Sequence, residues 1–509
     1  MKYQNPIIPG FYPDPSIIRV DNKFYLVNST FEYLPGVPIW ESEDLIHWTQ
    51  IGHCITRDSQ INIRNCRCSG GIFAPTLRYN NGTFYMITTD IEKGTFILTN
   101  NDIYGEWSDP LLIQISGYDP SLFFDEDGQV YIQITQPDEK GLGIYQAKID
   151  IVTGTLLTAP KLLWYGTGGR DPEGPHVYHI NGYYYLLIAE GGTREGHMVT
   201  IARSKDIWGP YESCPHNPIL TNREEPNISL QAIGHADFFQ DTSGNWWTVG
   251  HCHRTLEHFF HHLGRETILI PFTWTTDGWP VIGTDGHIYP EMDGPIPPSK
   301  TYIPTLKDDF DSNKLDLQWN FMRSFLPKNY SLTSRPGWLH LTGTHITIND
   351  LDSPTYICRR QQHFNCSFKT KMNFEPNKSG QEAGLCIYYD NEHHMELAVT
   401  LIDNNPYLIL RKNVADIKVV TNITALTPDF YIDNTIYLEI KATPTEYHFN
   451  YGNTEACANQ LGFTVTKHLS TEAAYSDFVG VFCGMYTSSP DESDTTHAYF
   501  DYFTYTPQD

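Results

Sequence analysis

"DPSIIRVDNKFYLVNSTF", residues 14–31, reads as a β-hairpin: an apolar strand, an Asp-Asn turn, and a second strand carrying Phe24, Tyr25, Leu26 and Val27. The unit recurs. "APTLRYNNGTFYMITTD" begins at Ala74, "DPSLFFDEDGQVYIQITQ" at Asp119, "GPHVYHINGYYYLLIAEG" at Gly174 and "HADFFQDTSGNWWTVGHC" at His235. Between them, "IWESEDLIHWTQIG", "FILTNNDIYGEWSDP" and "VTIARSKDIWGPYES" supply further strands, which leaves room for four per unit. Five such units predict a five-bladed β-propeller over residues 1–295.

In a propeller the innermost strand of each blade lines the central channel, so residues at the start of those strands meet at one mouth. In the five units these are Asp14, Ala74, Asp119, Glu173 and His235. Asp-Pro is also an ordinary way to start a turn. Three acids at equivalent places are different, because crowded like charges repel and hold at least one carboxyl protonated near neutral pH. Paired carboxyls, one an acid and one ionised, are the equipment of glycoside hydrolysis; acids on separate blades suit the wider spacing of an inverting mechanism. Glu173, between Pro172 and Gly174-Pro175, stands at a rigid strand entry suited to the acid.

Composition narrows the partners. The 509 residues carry a net charge of −26, which argues against nucleic acid, while 14 % aromatics suit neutral ligands such as sugars. Hydrophobic residues at 40 % are enough for packed cores. The ten cysteines show neither metal-ligand nor disulfide-scaffold spacing and read as free thiols in a reducing compartment. No apolar run is long enough for a membrane span, and "MKYQNPIIPGFY" lacks the apolar core of a signal peptide, so a cytoplasmic location is expected.

Propeller-like periodicity stops at "HIYPEMDGPIPPSKTYIPT", residues 287–305, a Pro-rich stretch that places an extended linker at 296–306. Residues 307–509 follow as a second domain. Alternating runs such as "GLCIYYDNEHHMELAVT" and "TIYLEIKAT" make it an antiparallel β-sandwich packing on the propeller.

The motifs "NPIIPGFYPDPS", "GVPIWESEDLIHW", "SGGIFAPTLRY", "GYDPSLFFDEDG", "PEGPHVY", "IGHADFF" and "LGRETILIPFTW", in this order, resemble glycoside hydrolase family 43, specifically its two-domain β-xylosidase and α-L-arabinofuranosidase branch. The resemblance implies an inverting enzyme with Asp14 as general base, Glu173 as general acid and Asp119 orienting the acid and tuning its pKa. It implies that Arg265 binds substrate hydroxyls, that Phe31 and Phe73 form apolar walls, and that His235 stands at the channel floor, where some relatives hold a hydrated calcium ion. No cofactor is required for the chemistry. A loop of the second domain would close the pocket, with Phe478 or Phe482 as the contact; both can equally be core residues of a strand. The substrate implied is a small oligosaccharide losing terminal β-D-xylose, with terminal α-L-arabinofuranose as the alternative, and self-association is left open.

Two departures bear on this. Position 73 is Phe where many relatives have Trp, which touches the sugar preference. "HCHRTLEHFFHHLGRE" is rich in histidine; His258 with His261 or His262 has metal-ligand spacing if helical, but reads better as a loop at the pocket rim. Fructan- and sucrose-cleaving propellers share the Arg170-Asp171-Pro172 motif, yet their Asn-Asp-Pro nucleophile context is missing at Asp14. A catalytically silent sugar-binding propeller is the remaining alternative, and the presence of all three acids speaks against it.

Overall fold

Two-residue turns set the first pairing of several hairpins. Asn80 pairs with Thr83 and Ile180 with Tyr183, around Asn81-Gly82 and Asn181-Gly182. All four turn residues have positive φ, between 49° and 87°, as a turn matching the strand twist requires. The computed structural model describes residues 2–294, 306–474 and 478–508. The linker expected at 296–306 lies outside these, apart from Leu306.

Five four-stranded antiparallel sheets follow in order. Their inner strands are Ser16–Val20, Thr76–Asn80, Tyr118–Phe124, Glu173–Ile180 and Leu230–Gln240. In the first blade the order continues outward through Lys23–Val27, Gly36–Ser42 and Thr49–Ile55. The fifth ends in Pro280–Ile282, and the ring is closed beside it by Lys2–Gln4 pairing with Glu291–Asp293.

One carboxylate ties the inner strands together. Asp237 is fully buried and accepts from Ser16 Oγ (2.8 Å) and Ile17 N–H (3.1 Å) of the first blade, Arg78 Nη1 (2.9 Å) of the second and Tyr178 O–H (2.6 Å) of the fourth. Burial alone would raise its pKa, but Arg78 and these donors hold it well below the usual carboxylate range. Four blades are thus pinned to one ionised group.

Residues 307–507 form two facing sheets. One contains Leu339–Gly343, Thr496–Pro507, Cys366–Phe374, Thr435–Ala442, Glu446–Gly452 and Asn459–Val465. The other runs from Ile417–Ala425 through Asn405–Val414, His393–Ile402, Glu382–Asp390, Phe482–Ser488 and Tyr356–Arg360 to Asn320–Met322. Its last strand is a propeller segment: Tyr33–Leu34 pairs with Phe321 and Met322. The apolar core is continuous across this seam, with Phe11, Phe31 and Tyr33 packed among sandwich residues. Arg360 reaches over from the sandwich, donating to Phe11 O (2.6 Å) and lying 4.3 Å from the Tyr12 ring.

Phe482 belongs to this seam. It is fully buried and stacks on Tyr33 with centroids 3.9 Å apart, a core role and not a pocket contact. The histidine-rich stretch also faces the sandwich. Glu257–Phe259 is one short 3₁₀ turn, so the helical spacing needed for a metal pair is lacking. His261 pairs with Glu472 (2.8 Å) and the His262 carbonyl accepts from Val481 N–H (2.9 Å). Among the described residues no group of three or more His, Cys, Asp or Glu could hold a metal ion. All ten cysteines are free thiols. No helix among the described residues is long and apolar enough to cross a membrane.

Candidate active site

The mouths of the inner strands are where regular pairing breaks. Register shifts fall between Tyr118 and Ser121, between Glu173 and His176, and between Gln231 and Gly234. Such bulges re-aim side chains. Asp14, Asp119 and His235 share a left-handed backbone, φ 52–53°. Asp and His tolerate this region better than most residues, and non-glycine residues held there cluster at functional sites. The repeated turn converts one position of a repeated unit into three convergent side chains.

Asp14, Asp119, Glu173 and His235 line one cavity of about 240 Å³ together with Arg265 and three phenylalanines, Phe31, Phe73 and Phe478. Ala74, the equivalent residue of the second blade, lines it too and leaves space where the others bring charge. The Phe31 centroid lies 5.2 Å from Phe73 and 5.4 Å from Phe478, forming an aromatic wall. Phe478 comes from the sandwich side. Its carbonyl accepts from Arg265 Nη2 (3.4 Å) and its N–H donates to Ser69 Oγ (3.3 Å). Two glycines make this approach feasible: a Cβ on Gly480 would lie 2.4 Å from Leu263 O, and one on Gly264 would lie 3.0 Å from Gly480 Cα.

Asp14 is buried and accepts from Arg265 Nη1 (2.6 Å) and from Ser29 Oγ; its own N–H donates to His251 Nδ1 (3.1 Å). Burial opposes its ionisation, but Arg265, His235 and His251 outweigh it and keep the carboxyl well below its ordinary range. Glu173 has the opposite environment. Burial first, and then the charges of Asp119 and Asp14, push its pKa up to about 8. At neutral pH one carboxyl is therefore ionised and the other protonated. His235 lines the same cavity, with Nε2 3.2 Å from Asp119 Oδ2. Burial would lower its pKa, but Asp14, Asp119 and Glu173 raise it to about 9, so the ring is cationic. Among the described residues, His235 and its neighbours include no group of three or more His, Cys, Asp or Glu that could hold a metal ion directly.

Several lining groups were not foreseen. Tyr118, Arg170, Asp171 and Arg194 border the cavity, and Arg170 Nε lies 2.7 Å from Asp171 Oδ2. The Arg-Asp-Pro motif thus contributes at the rim; its spelling alone pointed to another enzyme class. Ser29 faces Asp14 across the first hairpin, two places beyond the Ser16–Val27 pair, whereas His251, on the fifth blade, becomes its partner only through the ring closure.

Comparison with known proteins gives the family of the chain. The family model for glycosyl hydrolases family 43 matches residues 3–280, and that for the β-xylosidase C-terminal concanavalin A-like domain matches residues 307–506. The chain is 42 % identical to a non-reducing end α-L-arabinofuranosidase of Bacteroides ovatus, over 98 % of this chain and 94 % of that one. It is 36 % identical to a xylosidase/arabinosidase of Butyrivibrio fibrisolvens, over 98 % of each. The solved xylan β-1,4-xylosidase from Bacillus halodurans superposes with a TM-score of 0.92 at 36 % identity, over 99 % of this chain and all of that one. With its five-bladed propeller, its concanavalin-like sandwich and a match along nearly its whole length, the chain belongs to glycoside hydrolase family 43.

Proposed function

We propose that this glycoside hydrolase acts from chain ends by inversion, releasing single β-D-xylose residues from the non-reducing ends of xylo-oligosaccharides. One observation carries the reading: Asp14, bonded to Arg265, and Glu173, whose ionisation burial and the Asp119 charge oppose, line the same small aromatic-walled cavity. Asp14 takes a proton from the water that attacks the anomeric carbon, while Glu173 protonates the departing glycosidic oxygen. Asp119 serves by keeping Glu173 protonated and by holding His235. Arg265 fixes Asp14 and presents cationic donors to sugar hydroxyls. Proton transfer and water attack are complete with these side chains, so the chemistry asks for no cofactor.

The exo preference follows from size and walls. A cavity of about 240 Å³ is at the small end for a ligand pocket, which suits one terminal sugar ring rather than a length of chain. Phe31, Phe73 and Phe478 offer that ring apolar faces, and Phe478 limits how far a chain can extend. A cytoplasmic enzyme, as the free thiols favour, would receive short imported oligosaccharides as substrates.

Terminal α-L-arabinofuranose is the second reading, favoured by the 42 % identity to the Bacteroides ovatus arabinofuranosidase. Both pentoses can be tested on one preparation. Rates on 4-nitrophenyl β-D-xylopyranoside and α-L-arabinofuranoside name the sugar by their ratio, and proton NMR of xylobiose cleavage shows which anomer forms first. The proposal predicts α-xylose as the first product. A β-xylose first product removes inversion, and inertness on both glycosides removes the substrate class.

A further inference from the structure

Beside Glu173, outside the lining of the cavity, lies a histidine that the acid–base pair leaves without a task. His197, in "EGHMVTIARS" (residues 195–204), is fully buried, and its Nε2 lies 3.8 Å from Glu173 Oε1 with no hydrogen-bond partner. The position is built, not incidental. Its N–H donates to Arg194 O (2.9 Å), and its carbonyl accepts from Thr221 Oγ1 (3.0 Å). Nδ1 is 3.3 Å from the carbonyl of Ala232, which a bulge and a φ of 53° turn toward it. The ring occupies the space above Gly234, where any Cβ would lie 2.2 Å from His197 Cε1.

The tautomer follows from these neighbours. The groups facing the ring are His251 (centroids 5.1 Å apart), the cationic His235 and Arg265, and Glu173. Burial first, then His251 and His235, keep the imidazole neutral. A neutral imidazole has one N–H and one lone pair, and a carbonyl can only accept. Nδ1 therefore carries the proton toward Ala232 O, and Nε2 turns its lone pair to Glu173. A lone pair facing a carboxylate repels it, whereas one facing a carboxylic acid accepts its proton. Catalytic hydrogen bonds are often long without substrate and tighten when it binds.

We propose that His197 is a positioning residue for the general acid, its Nε2 lone pair favouring the protonated, hydrogen-bonded form of Glu173 and its return to that form after each turnover. This rests on Glu173 being the acid. The test compares aryl glycosides with poor (phenyl) and good (2,4-dinitrophenyl) leaving groups, since only the former need a proton. His197→Asn keeps an N–H for Ala232 O and removes the acceptor at Nε2. It is expected to lose about five- to tenfold in kcat/KM on the phenyl glycoside, the worth of one neutral hydrogen bond, and little on the dinitrophenyl one. The basic limb of its kcat/KM profile moves down by about half to one pH unit. His197→Gln, whose amide reaches the place of Nε2, restores most of the loss. Gly234→Ala, which drives the ring away, gives the same selectivity by a second route if the Asn variant does not fold. Equal losses on both glycosides with an unmoved limb overturn the inference. Glu173→Gln is the control: without leaving-group selectivity there, the acid assignment itself falls, whereas selectivity there and none at His197 removes only this inference.

Discussion

Replacing Asp119 by Asn tests how the acid is held protonated. Glu173 reaches about 8 through burial first and the Asp119 charge second. The substitution removes only the second contribution. A like charge sharing a small buried cavity, roughly 6–8 Å away at an effective dielectric of about 20, contributes about 2–3 kcal/mol, or about 1.5–2 pH units. His235 loses one anionic partner but keeps Asp14 and Glu173, so its opposing effect is smaller. The Glu173 carboxyl then titrates near 6–6.5, and its protonated fraction at pH 7 falls from about nine-tenths to between a tenth and a quarter. In kcat/KM profiles from pH 5 to 9.5 on an aryl glycoside, the basic limb should move down by that amount. The loss should be about three- to eightfold larger at pH 7 than at pH 5.5. A basic limb that stays near pH 8, with the same loss at every pH, would refute the electrostatic role and leave Asp119 a purely steric support.

Other consequences are independent of that one. Between pH 4.5 and 8 the folded chain keeps a proton on Glu173 that the unfolded chain has lost, so stability falls as pH rises through this window. Glu173→Gln cannot ionise, and its gain in Tm over wild type should therefore be larger at pH 8 than at pH 5, by a few degrees in calorimetry. Phe478→Ala opens the aromatic wall and removes a sugar contact from the sandwich side. It should raise KM for xylobiose about tenfold with a smaller change in kcat; an unchanged KM would remove Phe478 from the subsite. Phe482→Ala, at the start of the strand that follows, should instead cost about 3–5 kcal/mol of stability, seen in denaturant unfolding, and leave KM unaltered if the variant is assayed where it is folded.

The parts of this molecule legible in its sequence are those governed by short-range rules. Period-two hairpins with Asn-Gly turns reveal the blades, and a repeated unit announces that its equivalent residues meet. Hence Asp14, Asp119, Glu173 and His235 could be brought together without coordinates, and Ala74 recognised as the odd member. What escaped detection is cross-blade or cross-domain. Asp237 lies two residues from His235 in the same quoted motif, but its role depends on Ser16, Arg78 and Tyr178, which lie 221, 159 and 59 residues away. No local pattern encodes such a meeting point. Tyr33–Leu34 is too short to read as a strand and gains its identity only from Asn320–Met322. The choice between Phe478 and Phe482 also lay beyond periodicity, because Phe478 is in a loop. It is settled by backbone approach at Gly264 and Gly480.

The division of labour between Asp14 and Glu173 is the centre of the account, and one comparison addresses it most directly. It is kcat/KM for wild type, Asp14→Asn and Glu173→Gln on the phenyl and 2,4-dinitrophenyl glycosides of the preferred sugar. A base that activates water is needed whatever the leaving group, so Asp14→Asn should lose about a thousandfold or more on both. An acid is dispensable when the leaving group departs unaided, so Glu173→Gln should be severely impaired on the phenyl glycoside and close to wild type on the dinitrophenyl one. Selective rescue of Asp14→Asn, or equal impairment of Glu173→Gln on both substrates, would contradict the assignment.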